Sequence, residues 1–351
     1  MRQEPKACET TRSVVFPAMG GTAAVDTGAH TEVGMKRYIA GRCVYTGLIL
    51  FLVSILIFIL ARLVPGDPIL AAAMVNTDLA DRQIIQELRI RFGLDKPLYV
   101  QYGIWLRDFV TGDWGVSIGS GEAVREMFFN RLPVTLELFA GSVLWSVLVG
   151  FPLGIVAALR RNTWLDAVLT TTAIIGVSLP VFWEGIVLIY LFAVLLPLLP
   201  PSGFTPFTEN PLEHLLSVWM PTLVMGTHGA GLLARYVRSS LLEVLGQDFI
   251  RTARAKGLTA TAVLIRHALK PAMIPVVTVT GLAWSYVVAG SFLVEYIFAI
   301  PGLGRMGVDA VFARDFPVIQ ATLIMTALNV LLVNLAVDLL YGWLDPRIRL
   351  Q

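Results

Sequence analysis

Two features of this chain have residue types and spacing suited to chemistry, and both suggest contacts rather than bond-making. The first is a compact basic run, Arg251-Thr252-Ala253-Arg254-Ala255-Lys256-Gly257-Leu258, preceded by Gly246-Gln247-Asp248. Its helix formers predict a short helix that Gly257 terminates. Arg251, Arg254 and Lys256 supply charge, while Ala253, Ala255 and Gly257 are small enough for another protein's backbone to come close. The second feature is Glu184, a carboxylate in an otherwise apolar stretch. Such a group is expensive to keep in hydrocarbon and usually faces a cavity or a partner.

Enzymatic chemistry has no comparable footing. The dipeptide Gly-Lys is absent, so the chain lacks a phosphate-cradling G-x-x-x-x-G-K-[ST] loop and is expected to bind no nucleotide of its own. His30, His214, His228 and His267 are scattered, with no pair at metal-ligand spacing, so neither a metal nor another cofactor is expected. Cys8 and Cys43 suggest no disulfide framework. No Ser, Cys and His arrangement resembles a nucleophile motif.

The elements that must position these residues are membrane spans. The 351 residues are 56% hydrophobic and only 15% charged, with a mean hydropathy of +0.72, against the quarter charged that a soluble domain carries. About 20 apolar residues cross a bilayer, which predicts an all-helical chain with six spans: one ending near residue 61, then 134–158, 165–196, 216–237, 272–294 and 317–342. The third is long enough to break, and Pro180 offers the place, since proline removes a helical hydrogen bond. Basic residues mark the inner links. Lys36, Arg37, Arg42, Arg160, Arg161, Arg235, Arg238, Arg251, Arg254, Lys256, Arg266, Lys270, Arg347 and Arg349 all fall on one side if both termini are cytoplasmic. The link 197–215 contains no Lys or Arg and falls on the other.

The organisation read this way is a disordered tail over 1–34, a first span over 35–61 and an extracytoplasmic segment over 62–133. A core with five spans follows over 134–345, carrying an inner loop at about 238–271, and 346–351 form a short C-terminal tail. Met35 stands directly before Lys36-Arg37, which predicts that translation starts there. Within 62–133, Ile84, Ile85, Leu88 and Phe92 have helical spacing.

The inner loop resembles the coupling loop, or EAA motif, of permease subunits in bacterial ABC importers. Arg251 to Leu258, Arg266-His267-Ala268-Leu269 and Pro275 match the form it takes in the peptide and nickel (OppB/DppB) family, with Arg251 in place of the general motif's glutamate. Further blocks are similar to that family: Arg62-Leu63-Val64-Pro65-Gly66-Asp67-Pro68, Gly112-Asp113-Trp114-Gly115, Thr135-Leu136-Glu137-Leu138, Ser178-Leu179-Pro180, and Glu295 with Pro301-Gly302-Leu303-Gly304. The resemblance implies a type I ABC importer permease fold in a bacterial inner membrane. It also implies a second permease subunit of the OppC/DppC kind, two ATP-binding subunits that hold the ATP and magnesium, and an extracytoplasmic substrate-binding protein. Lipid surrounds such a subunit, and no nucleic acid is expected. Residues 251–258 would carry the coupling contact, and Glu184, Pro180 and His228 are the candidates for the translocation path. The cargo implied is di- or oligopeptide. A nickel or metal-chelate importer is the alternative within the family, and an ion-coupled secondary transporter the alternative outside it.

Overall fold

A computed structural model describes residues 27–63 and 95–344 of the chain. The helix predicted within 81–92 and the blocks at 64–68 and 345–351 lie outside the described residues. Those that are described form helices, with no strand beyond one isolated bridge, Val116 to Ala123.

In chain order the helices are α1 (Thr27–Leu63), α2 (Leu98–Thr111), α3 (Val124–Leu159), α4 (Trp164–Ser178), α5 (Val181–Ile189), α6 (Pro211–Leu245), α7 (Asp248–Ala255), α8 (Ala260–Ala262), α9 (Leu269–Ile297), α10 (Leu303–Ala313) and α11 (Phe316–Leu344). Wider π-turns extend α5 through Tyr190–Leu195 and join α8 to α9 through Val263–Ala268. Four helical stretches are long and apolar enough to cross a membrane, and α4 with α5, bent by 102°, make a fifth. The remaining pass is α6, which at 35 residues and 1.5 Å per residue reaches about 52 Å, well beyond a hydrocarbon core of about 30 Å.

α6 is the least apolar pass because it lies inside the bundle rather than against lipid. It packs on α3, α4, α5 and α9, and its most extensive contact is with α3. Small residues make that contact close, as in other membrane helix pairs. A Cβ on Gly150 would strike the backbone of Ala230, and one on Gly154 would meet Val237. Ser146 Oγ donates to the Gly226 carbonyl at 2.8 Å across the same interface.

Two boundaries differ from the sequence reading. α1 starts at Thr27, ahead of the boundary at residue 35, since adding turns to an existing helix needs no new nucleus. α3 starts at Val124, ten residues before the predicted span, and Pro133 sits inside it. Arg125, Glu126 and Arg131 make that extension look like a loop in composition, yet Val124 and Phe128 pack with Leu303, Met306 and Ala310 of α10 and Val318 and Ala321 of α11. α10 itself had no counterpart among the predicted elements.

The bundle therefore has a basic end, where α3 turns into α4 and α6 leads to α7. At the opposite end, α2, α10 and the start of α3 gather.

Candidate functional site

α7 is seated by two side chains. Ile250 is fully buried and Ala253 nearly so, packed with Ala158 at the end of α3, Leu241 of α6, and Val263, Ala268 and Ala272 beyond. Every other residue from Arg251 to Leu258 is exposed. Ala253 thus faces its own core, leaving Ala255 and Gly257 as the small residues on the outer surface. Arg251 stands 3.4 Å from Asp248 at the surface, a pairing worth under about 1 kcal/mol.

The rod ends in a Schellman turn. The Gly257 N–H donates to the Arg254 carbonyl at 3.0 Å and the Leu258 N–H to the Ala253 carbonyl at 3.4 Å. Gly257 has φ +80°, which favours glycine, and a Cβ there would meet nothing within 4 Å. Its role is conformational, not spatial.

The α6 segment beneath the rod is tied on two sides. Ser240 Oγ donates to the Ala272 carbonyl of α9 at 2.7 Å. Arg238 donates from Nε to Asp166 Oδ1 at 2.7 Å and from its terminal nitrogen to Oδ2 at 2.8 Å. Asp166, buried in the first turn of α4, also accepts from the Asn162 N–H at 3.0 Å and the Thr170 hydroxyl at 3.2 Å. A fork-to-carboxylate pair of this kind fixes geometry as well as adding energy.

At the far end of α4 the chain breaks. Leu179 and Pro180 are both extended, with ψ of 130°, because the residue before a proline is pushed out of the helical region. The Pro180 carbonyl then accepts from the Trp183 and Glu184 N–H groups and opens α5. Glu184 lies in that first turn, half-buried, with its carboxyl group facing the Thr227 hydroxyl. Thr227 is the seventeenth of the 35 residues of α6, at mid-length, and half-buried His228 follows it. Of the three path candidates, Pro180 makes the break, while Glu184 and His228 belong to the neighbourhood of one mid-bundle turn.

The opposite end holds polar groups that the sequence reading assigned no role. Glu295 is fully buried at the end of α9 and accepts from the Gly304 N–H at 2.6 Å, the Arg305 N–H at 3.1 Å and the Thr135 hydroxyl at 2.9 Å. Thr135 Oγ1 in turn accepts from the Leu303 N–H at 2.8 Å. The N-cap of α10 is Gly302, which has no side chain to cap with, so Glu295 and Thr135 cap the helix from two other helices. A Cβ on Gly302 would run into the Glu295 carboxylate and one on Gly304 into the backbone of Phe292, which accounts for the two glycines of the Pro301-Gly302-Leu303-Gly304 block. Buried His214 is held likewise, by Glu137 Oε1 at 2.5 Å and the Thr205 carbonyl at 2.9 Å. The sequence offered only a partial signal, a carboxylate near the end of an apolar run, with nothing to name its partner.

The profile of the family described as binding-protein-dependent transport system inner membrane component matches residues 150–350, and that of its N-terminal part matches 35–139. The chain belongs to this family. This inner membrane component is 40% identical over 301 residues to a putative peptide transport system permease protein of Brucella abortus, covering 86% of this chain and 95% of that one. It is 41% identical over 317 residues to the glutathione transport system permease protein GsiC of Escherichia coli K12, covering 90% and 99%. Over 62% of its length its fold is similar to that of a chain in inward-facing structures of the MetNI methionine ABC transporter, with a TM-score of 0.53 at 19% identity and 95% of that chain covered. As a family member it is a multi-pass protein of the bacterial inner membrane, a transport component that works within a multi-subunit complex.

Proposed function

We propose that this protein is one of two permease subunits of an ATP-driven importer and forms half of the translocation path for short peptides. The names of the relatives, peptide and glutathione permeases, support this cargo better than the nickel or ion-coupled alternatives. The basic end is cytoplasmic, as are both termini. A second permease of the OppC/DppC kind completes the path, two ATP-binding subunits hold ATP and magnesium, and an extracytoplasmic protein delivers the cargo. This chain binds no cofactor.

The observation that carries the mechanism is the two-sided character of α7. Ile250 and Ala253 fasten the rod to three spans, while Arg251, Arg254, Ala255, Lys256 and Gly257 face outward. A partner that grips the outer face and moves on ATP binding shifts the permease between states, provided the contact is more favourable in one state than in the other.

Reconstitution in proteoliposomes with all partner subunits tests this. ATP should drive uptake of a labelled tripeptide, and an ion gradient alone should not. Replacing Arg251, Arg254 and Lys256 together by alanine leaves the buried seat intact. Retention of the ATP-binding subunits should then fall at least tenfold and uptake should disappear. Wild-type retention would overturn the assignment of this rod.

Glu184 is proposed to line the path and attract the cargo's amino terminus. Glu184→Gln should raise KM for peptides with a free amino terminus by about tenfold, the equivalent of losing about 1.4 kcal/mol, and leave N-acetylated peptides unchanged. Equal effects on both cargoes would remove the charge-recognition role.

A further inference from the structure

Three elements meet at the basic end, and they lead to one another in space. The rod α7 is seated on Leu241 through Ile250 and Ala253. Three residues before Leu241, the same helix presents Arg238, whose guanidinium is forked onto Asp166. Asp166 belongs to the first turn of α4, and the other end of α4 is the 102° break that opens onto Glu184.

The spans of the α3–α4 hairpin follow α6 through close packing, at Gly150 and Gly154 of α3 and at Ala173 of α4, but among the described residues its turn adds no contact of that kind. Its turn residue Asn162 has φ +62°, and the hairpin's own hydrogen bonds, Asn162 N–H to Asp166 and Thr163 Oγ1 to the Arg160 carbonyl, are internal to it. Arg160, Arg161, Asn162 and Thr163 are all exposed. The forked pair is the polar tie from the turn end of this hairpin to α6. It sits within one turn of the rod's seat, with the Asp166 side chain only 7% exposed and that of Arg238 28%.

We infer that Asp166 and Arg238 are positioning residues for transport: they join the start of α4 to the α6 segment that carries the rod, so that movement of the rod is delivered to the α4–α5 break. This rests on the coupling role proposed for α7. The hydrogen bonds of the pair are within the chain, at the start of α4 and in α6. Its loss should therefore separate ATP turnover from cargo movement rather than abolish both.

The test uses the complete transporter in proteoliposomes, with cargo-loaded binding protein and ATP. Asp166→Asn keeps the acceptor oxygen for the hairpin but removes the charge and one arm of the fork. ATP turnover should stay within about twofold of wild type, while peptides moved per ATP should fall tenfold or more. An unchanged ratio, or equal falls in both rates, would overturn the inference and leave the pair a structural tie.

A second arm covers misfolding. Asp166→Cys with Arg238→Cys, in a background lacking Cys8 and Cys43, should have the same low ratio. A short bis-methanethiosulfonate reagent should restore it and reductant should lower it again. No recovery in a complex with full ATP turnover would also overturn the joint. If the triple alanine rod variant transports normally, the coupling role of α7 is what fails. If that variant is dead and Asp166→Asn keeps a normal ratio, the joint alone fails.

Discussion

Glu295→Ala should yield a subunit that unfolds far more readily than wild type. Three donors, the Thr135 hydroxyl and the Gly304 and Arg305 N–H groups, would lose their acceptor in a site where Glu295 is fully buried. Each buried donor left without an acceptor costs about 1–3 kcal/mol, so a loss of at least about 3 kcal/mol is expected. Glu295→Gln keeps one acceptor oxygen and turns its amide donors toward either Thr135 or the start of α10, so its loss should be smaller. Thermal unfolding of the detergent-purified chain, read by size-exclusion recovery, ranks wild type above Glu295→Gln and Glu295→Ala last. Equal midpoints for wild type and Glu295→Ala would mean that α10 needs no cap from α9.

The second large effect is expected at Gly150. Its missing side chain lets α3 lie against the carbonyl of Ala230, and the Ala230 Cα would be 2.9 Å from an added Cβ. A backbone cannot swing aside as a flexible side chain can. Gly150→Ala should therefore force α3 from α6 and cost about 1–3 kcal/mol, and Gly150→Val more. Gly103 in α2 serves as the control, since a Cβ there meets nothing within 4 Å. Gly103→Ala should be neutral, or stabilising by about 0.5–1 kcal/mol through the helix preference alone. If the two alanine variants unfold alike, the closeness of α3 and α6 contributes nothing to stability.

Much of this fold was legible because lipid imposes a one-dimensional rule: apolar length predicts a span. The rule worked best where a helix leaves most of its apolar side chains exposed, as α1 does. It was weakest for α6, whose partners are other helices, and for the charged first turns of α3, which pack on α10 in a satellite core outside the apolar register. Pro180 gave the position of the break but not its angle, which depends on what α5 packs against. Gly257 was readable as a helix stop because a local turn needs a local residue. Asp166 with Arg238, and Thr135 with Glu295, were not readable as pairs. Each partner looks ordinary in its own segment, and their separations of 72 and 160 residues carry no local pattern.

The cap on α10 also has a consequence for biogenesis. Thr135 leaves the ribosome 160 residues ahead of Glu295, an interval of roughly 10–30 s at ordinary rates of bacterial synthesis. During that time the early spans are already in the bilayer while the helix that Thr135 and Glu295 cap together has yet to be made. A chain truncated before Gly302 would leave Glu295 and Thr135 without the backbone N–H groups of α10 that they cap.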